Sequence, residues 1–300
     1  MNHRPPSDRP QLRFIPTPYT FRLGEPIGMG TMGCVYRASS DDLPGPVAVK
    51  ILHPAFADDA RMVDRFQREI VIMERLSHPH IVRHYGGGMM EGQYFYAMEL
   101  LDRGSLKDRL QRGGPLEWPL AALYTAQIAA ALQHAHNHGV VHRDLKPTNL
   151  FFADDGRLLL GDFGIARDLQ TGGADPGARM GTYAYMSPEQ IRAERELTGS
   201  SDLYSLGCVA YEMLSGKPPF LGENFAQIWD QHLRATPRGL AEQGVACPDW
   251  FEKLVLRLLA KDPHQRPFNA RAVQGYLRDH LEDRFGPDYA RIIATQFAKF

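Results

Sequence analysis

Three short segments carry residue types that together could handle a phosphate ester: Gly28-Met-Gly30-Thr-Met-Gly33-Cys-Val35, then His142-Arg-Asp144-Leu-Lys146-Pro-Thr-Asn149, then Asp162-Phe-Gly164. Glycines at 28, 30 and 33 remove side chains where backbone amides would approach triphosphate oxygens, and Val35 follows where it can pack over a base. Asp144 can accept a hydrogen bond from a hydroxyl and take its proton, and Lys146 stands two residues on to meet the transferred charge. Asn149 and Asp162 supply the hard oxygen atoms that Mg²⁺ prefers, with Mn²⁺ the alternative. A GxGxxG segment also marks dinucleotide folds, but there the third glycine opens a helix, whereas Cys34-Val35-Tyr36 continues as strand.

The elements that must hold these residues fall in two parts. Residues 1–18, with Pro5, Pro6, Pro10, Pro16 and Pro18, read as a flexible leader. From 19 to 39 a glycine-broken alternation predicts two strands, 46–52 a third, 58–77 a helix, and 81–85 and 93–101 further strands. On that helix Met62, Phe66, Glu69, Met73 and Leu76 recur at helical spacing, which puts Glu69 inside the apolar stripe, where a carboxylate needs a cation. Lys50 interrupts the apolar run of the third strand and is the natural partner; a Lys so fixed can reach nucleotide phosphates. Beyond Asp102-Arg103-Gly104 the pattern turns helical, with Pro119 in a first turn, Gly139 as a stop, and further helices near 201–215, 224–234, 249–260 and 270–283.

Composition excludes several classes. In 300 residues, 34 basic against 35 acidic side chains leave no field to draw in nucleic acid or an anionic membrane. Cys34, Cys208 and Cys247 form no CxxC pair and read as reduced thiols of a cytoplasmic protein, with Cys34 a passive small hydrophobe. No stretch approaches the roughly 20 apolar residues of a membrane span, and the first twenty residues do not resemble a signal peptide. The apolar residues Tyr289, Ile292, Ile293, Phe297 and Phe300 predict an amphipathic tail helix docked on the chain's own second part.

Residues 19–285 resemble the eukaryotic-like (Hanks-type) serine/threonine protein kinases, and the wording GTYAYMSPEQ with Asp-Phe-Gly-Ile-Ala-Arg is most similar to bacterial members. The resemblance implies an α+β, two-lobed fold: leader 1–18, a β-sheet N-lobe over 19–101 with one main helix, a mostly helical C-lobe over 102–285 and a tail over 286–300. It implies transfer of the γ-phosphoryl of Mg²⁺-ATP to a protein Ser or Thr hydroxyl, autophosphorylation included; the alternative is a nucleotide-binding pseudokinase or scaffold. It assigns catalysis to Asp144, Lys146, Lys50, Glu69, Arg143 and Thr182, and metal binding to Asn149 and Asp162. Nucleotide binding falls to Ile27, Gly28, Gly30, Gly33, Val35, Ala48, Lys50, Met98 as gatekeeper, the Glu99 and Leu101 backbone, and Phe151. It further implies a Glu189–Arg266 ion pair, Asp202 buttressing the catalytic loop, and, as a lesser suggestion, a homodimer through the N-lobe. A small-molecule phosphotransferase would lack the Ser-Pro-Glu and DLYSLG segments.

The departures are specific. Residues 172–181 contain no hydroxyl, with Ala178 where relatives carry the activating site, so Arg143 would look to Asp175, or to Thr171 once phosphorylated. His84 takes a spine position that is aliphatic in relatives, and Ser105 and Thr148 stand where arginine-selecting kinases carry acids.

Overall fold

The computed structural model describes residues 17–29, 33–56, 59–163 and 183–297. The chain divides into two compact units, one running to residue 75 and including 84–100, the other made of 76–83 and everything from 101 onward.

The first unit is an antiparallel sheet in the order β1-β2-β3-β5-β4, from β1 (Arg22–Met29), β2 (Gly33–Ser39), β3 (Val47–Leu52), β4 (His84–Met90) and β5 (Gln93–Glu99). The near-continuous apolar run of β3 reflects burial on both faces. Val47, Val49 and Ile51 pack with Phe21, Ala38, Phe95 and Ala97, while Leu52 packs with Tyr96 and with Phe66 and Ile70 of helix α1 (Ala60–Met73). Because side chains alternate along a strand, Lys50 shares the α1 side of the sheet with Leu52. The third glycine of the loop is demanded by this sheet as much as by any ligand, since a Cβ on Gly33 would lie 2.0 Å from the Ile51 carbonyl oxygen.

The strand expected over 81–85 is corrected. The strand begins at His84, and Ile81 and Val82 are buried in the second unit, where the Val82 amide donates to the Leu160 carbonyl (3.0 Å) and the Leu160 amide to the His80 carbonyl (2.9 Å). Thus 76–83, inside the stretch read as the N-lobe, groups with the second unit. Three glycines in a row hid β4 from a propensity reading, yet a Cβ at Gly87 would come within 2.6 Å of the Phe95 carbonyl oxygen and 2.8 Å of Ile70.

In the second unit, Ser105 and Asp108 form a capping box on α2 (Leu106–Gly113), and Pro119 sits in the first turn of α3 (Trp118–Asn137). A ribbon of β6 (Leu150–Phe152) and β7 (Leu158–Leu160) follows, then α4 (Pro188–Ile191) and α5 (Gly199–Ser215). The last four helices are α6 (Phe225–Arg234), α7 (Asp249–Leu258), α8 (Ala270–Phe285) and α9 (Tyr289–Phe297). Every residue of α5 from Ser201 to Leu214 is buried, so its polar members Asp202, Ser205 and Glu212 each require partners, and each has them. The tail helix α9 packs on α3 and α8 with Ile293 fully buried, the docking expected of it. Among the described residues no helix is long and apolar enough to cross a membrane.

His232 of α6 is also fully buried. Lys261 Nζ donates to Tyr204 Oη (3.2 Å), whose hydroxyl donates to His232 Nδ1 (2.9 Å), so the imidazole is held neutral. Burial, assisted by the Lys261 charge, pushes His232 down to about 3. The unfolded chain therefore binds a proton near pH 6.5 that the folded chain refuses, and stability falls as pH drops below that value. Between pH 6 and 4 we expect His232 to remove up to about 1.4 kcal/mol per pH unit. Urea unfolding of the wild type and His232→Gln across this range checks it, the variant showing the shallower acid slope.

Candidate active site

The segment between α3 and β6 is held by one buried carboxylate. Asp202, in the first turn of α5, accepts the His142 amide on Oδ2 and the Arg143 amide on Oδ1, each at 2.8 Å, and His136 Nε2 on Oδ2, also at 2.8 Å. Burial would raise its pKa, but the His136 hydrogen bond and charge, with the Arg143 amide, hold it below the usual carboxylate range. His142 in turn accepts the Asp144 amide on Nδ1 (3.2 Å), so its Nε2 carries the proton and donates to the Gly161 carbonyl (3.0 Å). Full burial keeps this imidazole neutral, and Phe163 lies against it at a tilt, with ring centroids 4.7 Å apart.

Arg143 has φ +65 and Asp162 φ +45, left-handed values that non-glycine residues adopt at a cost on the order of 1–3 kcal/mol. At Arg143 the conformation is pinned on both sides, its amide by Asp202 and its carbonyl by Gln190 Nε2 (2.8 Å). This turn presents Asp144, whose Oδ2 pairs with Lys146 Nζ at 2.9 Å and accepts from Asn149 Nδ2 at 3.3 Å.

Asn149 Nδ2 also donates to the Asp144 carbonyl (2.9 Å), which spends the amide nitrogen and leaves Oδ1 as the acceptor, with Thr148 Oγ1 donating to it at 3.5 Å. Register then brings the two oxygen donors to one end of the ribbon. Leu150 pairs with Leu160, and the Gly161 amide donates to the Asn149 carbonyl (2.9 Å), so Asp162 comes one residue after the position that meets Asn149. Two oxygen side chains at a ribbon end suit a hard divalent cation, which keeps water and phosphate oxygens for its remaining positions. Among the described residues no group of three or more His, Cys, Asp or Glu forms a metal cage.

In the first unit Lys50 lies opposite Val35 on β2 and Tyr96 on β5, with Nζ 5.4 Å from the Tyr96 ring centroid. Gly28 pairs with Val35, Ala48 pairs with Met98, and Val47 with Glu99; Ile27 is exposed on β1. His84 opens β4 with its ring 5.3 Å from that of Tyr96. Leu101 and Phe151 belong to the second unit, where Phe151 pairs with Leu159 and bridges Ser105. Gly30, Gly164, Thr171, Asp175, Ala178, Thr182 and the Glu69 side chain lie outside the described residues. Sequence reasoning passed over His136 and Gln190. For His136 the available signal was a titratable side chain in the last turn of the largely apolar α3; for Gln190 it was the Ser-x-x-Gln capping box.

Removing one acceptor from Asp202 tests the buttress. Asp202→Asn aims an N–H at donors, leaving at least one buried amide or His136 unmatched, and is expected to cost about 1–3 kcal/mol in denaturant unfolding.

Residues 21–276 match the family model described as protein kinase domain. The chain is 37% identical over 253 residues to the serine/threonine-protein kinase PknB of Mycolicibacterium smegmatis, covering 82% of this chain and 40% of that protein. It is 38% identical over 263 residues to PkaA of Streptomyces coelicolor (82% and 47%) and 37% identical over 241 residues to PrkC of Bacillus subtilis (80% and 37%), both also named serine/threonine-protein kinases. A solved structure of the PknI kinase domain from Mycobacterium tuberculosis, a point mutant, aligns with TM-score 0.65 and 28% identity over 87% of this chain and 96% of that one. The chain belongs to the protein kinase domain family, in its bacterial Hanks-type serine/threonine branch. It spans 37–47% of the length of these three curated relatives. Membership implies use of ATP and a divalent metal.

Proposed function

We propose that this chain is an active serine/threonine kinase domain that moves the γ-phosphoryl of ATP to a hydroxyl of a protein substrate on the cytoplasmic side. The observation that carries the reading is the Asp144 carboxylate, held by Lys146 and Asn149 and presented on a turn pinned at both peptide groups. Asp144 orients the acceptor hydroxyl and receives its proton as the O–P bond forms, while Lys146, 2.9 Å away, neutralises charge on the moving phosphoryl. Lys50 and the glycine segment orient the phosphates, with Glu69 as the Lys50 partner, and Thr182 seats the acceptor. Ile27, Val35, Ala48, Met98, Glu99, Leu101 and Phe151 hold the base. Asn149 and Asp162 would hold Mg²⁺, which when bound neutralises phosphate charge. The loop without hydroxyls over 172–181 favours activity that does not wait for phosphorylation there.

The test is transfer from γ-labelled ATP with Mg²⁺ to the protein itself and to a generic Ser/Thr substrate, followed by phosphoamino-acid analysis. Label on Ser or Thr is the expected result. Nucleotide binding with no transfer to either would overturn it in favour of a pseudokinase.

A further inference from the structure

Gln190 stands at the third position of α4, 47 residues along the chain from Arg143, yet its amide touches both segments. Its Oε1 accepts the Ser187 amide (2.9 Å), closing the capping box whose other half is the Gln190 amide donating to Ser187 Oγ (3.3 Å). Its Nε2 donates to the Arg143 carbonyl at 2.8 Å. The orientation of this side-chain amide is forced, because one neighbour is a backbone donor and the other a backbone acceptor. The residue is buried and so are its cap partner Ser187 and neighbour Glu189, so water cannot cheaply replace the Ser187 bond, while the Arg143 bond is half-buried.

The carbonyl it holds belongs to the peptide joining Arg143, with φ +65, to Asp144. Asp202 restrains the amide side of Arg143, and Gln190 restrains the carbonyl side. A left-handed non-glycine residue persists only where its surroundings over-determine it, and a peptide released on one side can relax by rotation. Such a rotation would swing the Asp144 carboxylate away from the acceptor hydroxyl.

We propose that Gln190 is a positioning residue for phosphoryl transfer: one side-chain amide ties the start of α4 to the strained peptide that aims Asp144. The inference rests on the kinase reading for its rate effect but not for its effect on the backbone.

Three variants separate positioning from helix capping. Gln190→Glu keeps an oxygen for the Ser187 amide but turns a second oxygen on the Arg143 carbonyl. Gln190→Met removes both side-chain bonds at similar volume. Ser187→Ala removes the hydroxyl half of the cap and leaves the Arg143 bond in place. We expect Gln190→Glu and Gln190→Met to lower kcat by on the order of 10²-fold, with KM for ATP and for substrate unchanged. Ser187→Ala lowers the thermal midpoint and keeps kcat. Amide hydrogen exchange over 142–146, measured without nucleotide, rises in both Gln190 variants and not in Ser187→Ala. Wild-type kcat in Gln190→Met, or unchanged exchange in that segment, overturns the proposal. If the wild type transfers no phosphate, the kinase reading has failed, and the exchange result alone decides whether Gln190 holds the turn.

Discussion

Asp144→Asn is expected to lower phosphoryl transfer by about 10²–10⁴-fold while the Kd for ATP stays within experimental error. The substitution is nearly isosteric, and an Asn oxygen can still accept from Asn149 Nδ2, which lies 3.3 Å from Asp144 Oδ2. Two things are lost. The amide cannot take the acceptor proton, and the ion pair with Lys146 Nζ at 2.9 Å becomes at best a neutral-acceptor hydrogen bond, leaving the lysine less firmly placed. Neither loss removes a residue assigned to hold the nucleotide base or the metal, so nucleotide affinity is the internal control. Steady-state kcat beside an equilibrium ATP titration checks it. An undiminished kcat would remove Asp144 from the chemistry, and a parallel loss of ATP affinity would mean that the 142–149 turn had collapsed.

How much of this was legible in sequence depends on whether a residue's constraint is local. Asp144, Lys146 and Asn149 sit within six positions on one turn, so spacing alone brings them together. The β6–β7 pairing that brings Gly161, and Asp162 after it, to the Asn149 end of the ribbon is only slightly longer in range. Lys50 was visible as a charge breaking an apolar strand, and the structure places it on the α1 side. The boundary of β4 was not legible: Ile81 and Val82 have strand composition but spend their burial against β7, while glycines 86–88, poor strand formers, are required by the close approach of Phe95 and Ile70. Gln190 and His136 act through partners 47 and 66 residues away, and nothing in their immediate neighbours names those partners. The resemblance supplied the Asp202 and Glu189–Arg266 roles that spacing could not, and their geometry follows the long-range packing of α5.

The Glu189–Arg266 pair gives the largest stability effect. Arg266 Nη1 meets Glu189 Oε1 at 2.6 Å and Nη2 meets Oε2 at 2.9 Å, with side chains 0% and 5% exposed. The remaining guanidinium hydrogens go to the carbonyls of Ala260 (2.9 Å), Ser200 (2.8 Å) and Lys261 (3.3 Å), and Ser201 Oγ adds a donor to Glu189 Oε1 (2.8 Å). Burial alone would raise the Glu189 pKa, but Arg266 overrides it and holds the carboxyl below its ordinary value. Arg266→Met strips that compensation and is expected to cost about 3–5 kcal/mol, or about 6–20 °C in thermal midpoint. Adding Glu189→Gln should return much of the loss, because a buried charge without a partner, rather than a missing attraction, is what destabilises the single variant. The pH dependence separates the two causes. In the wild type Glu189 binds its proton less readily folded than unfolded, so its stabilisation holds above about pH 4.5 and fades below. In Arg266→Met the buried carboxyl binds a proton more readily folded than unfolded, so acid relieves it, and the gap between the two proteins narrows as pH falls from 7 toward 4. A gap that stays constant across that range would show that Arg266 acts by packing against Tyr204, 4.9 Å from the guanidinium, and not by satisfying Glu189.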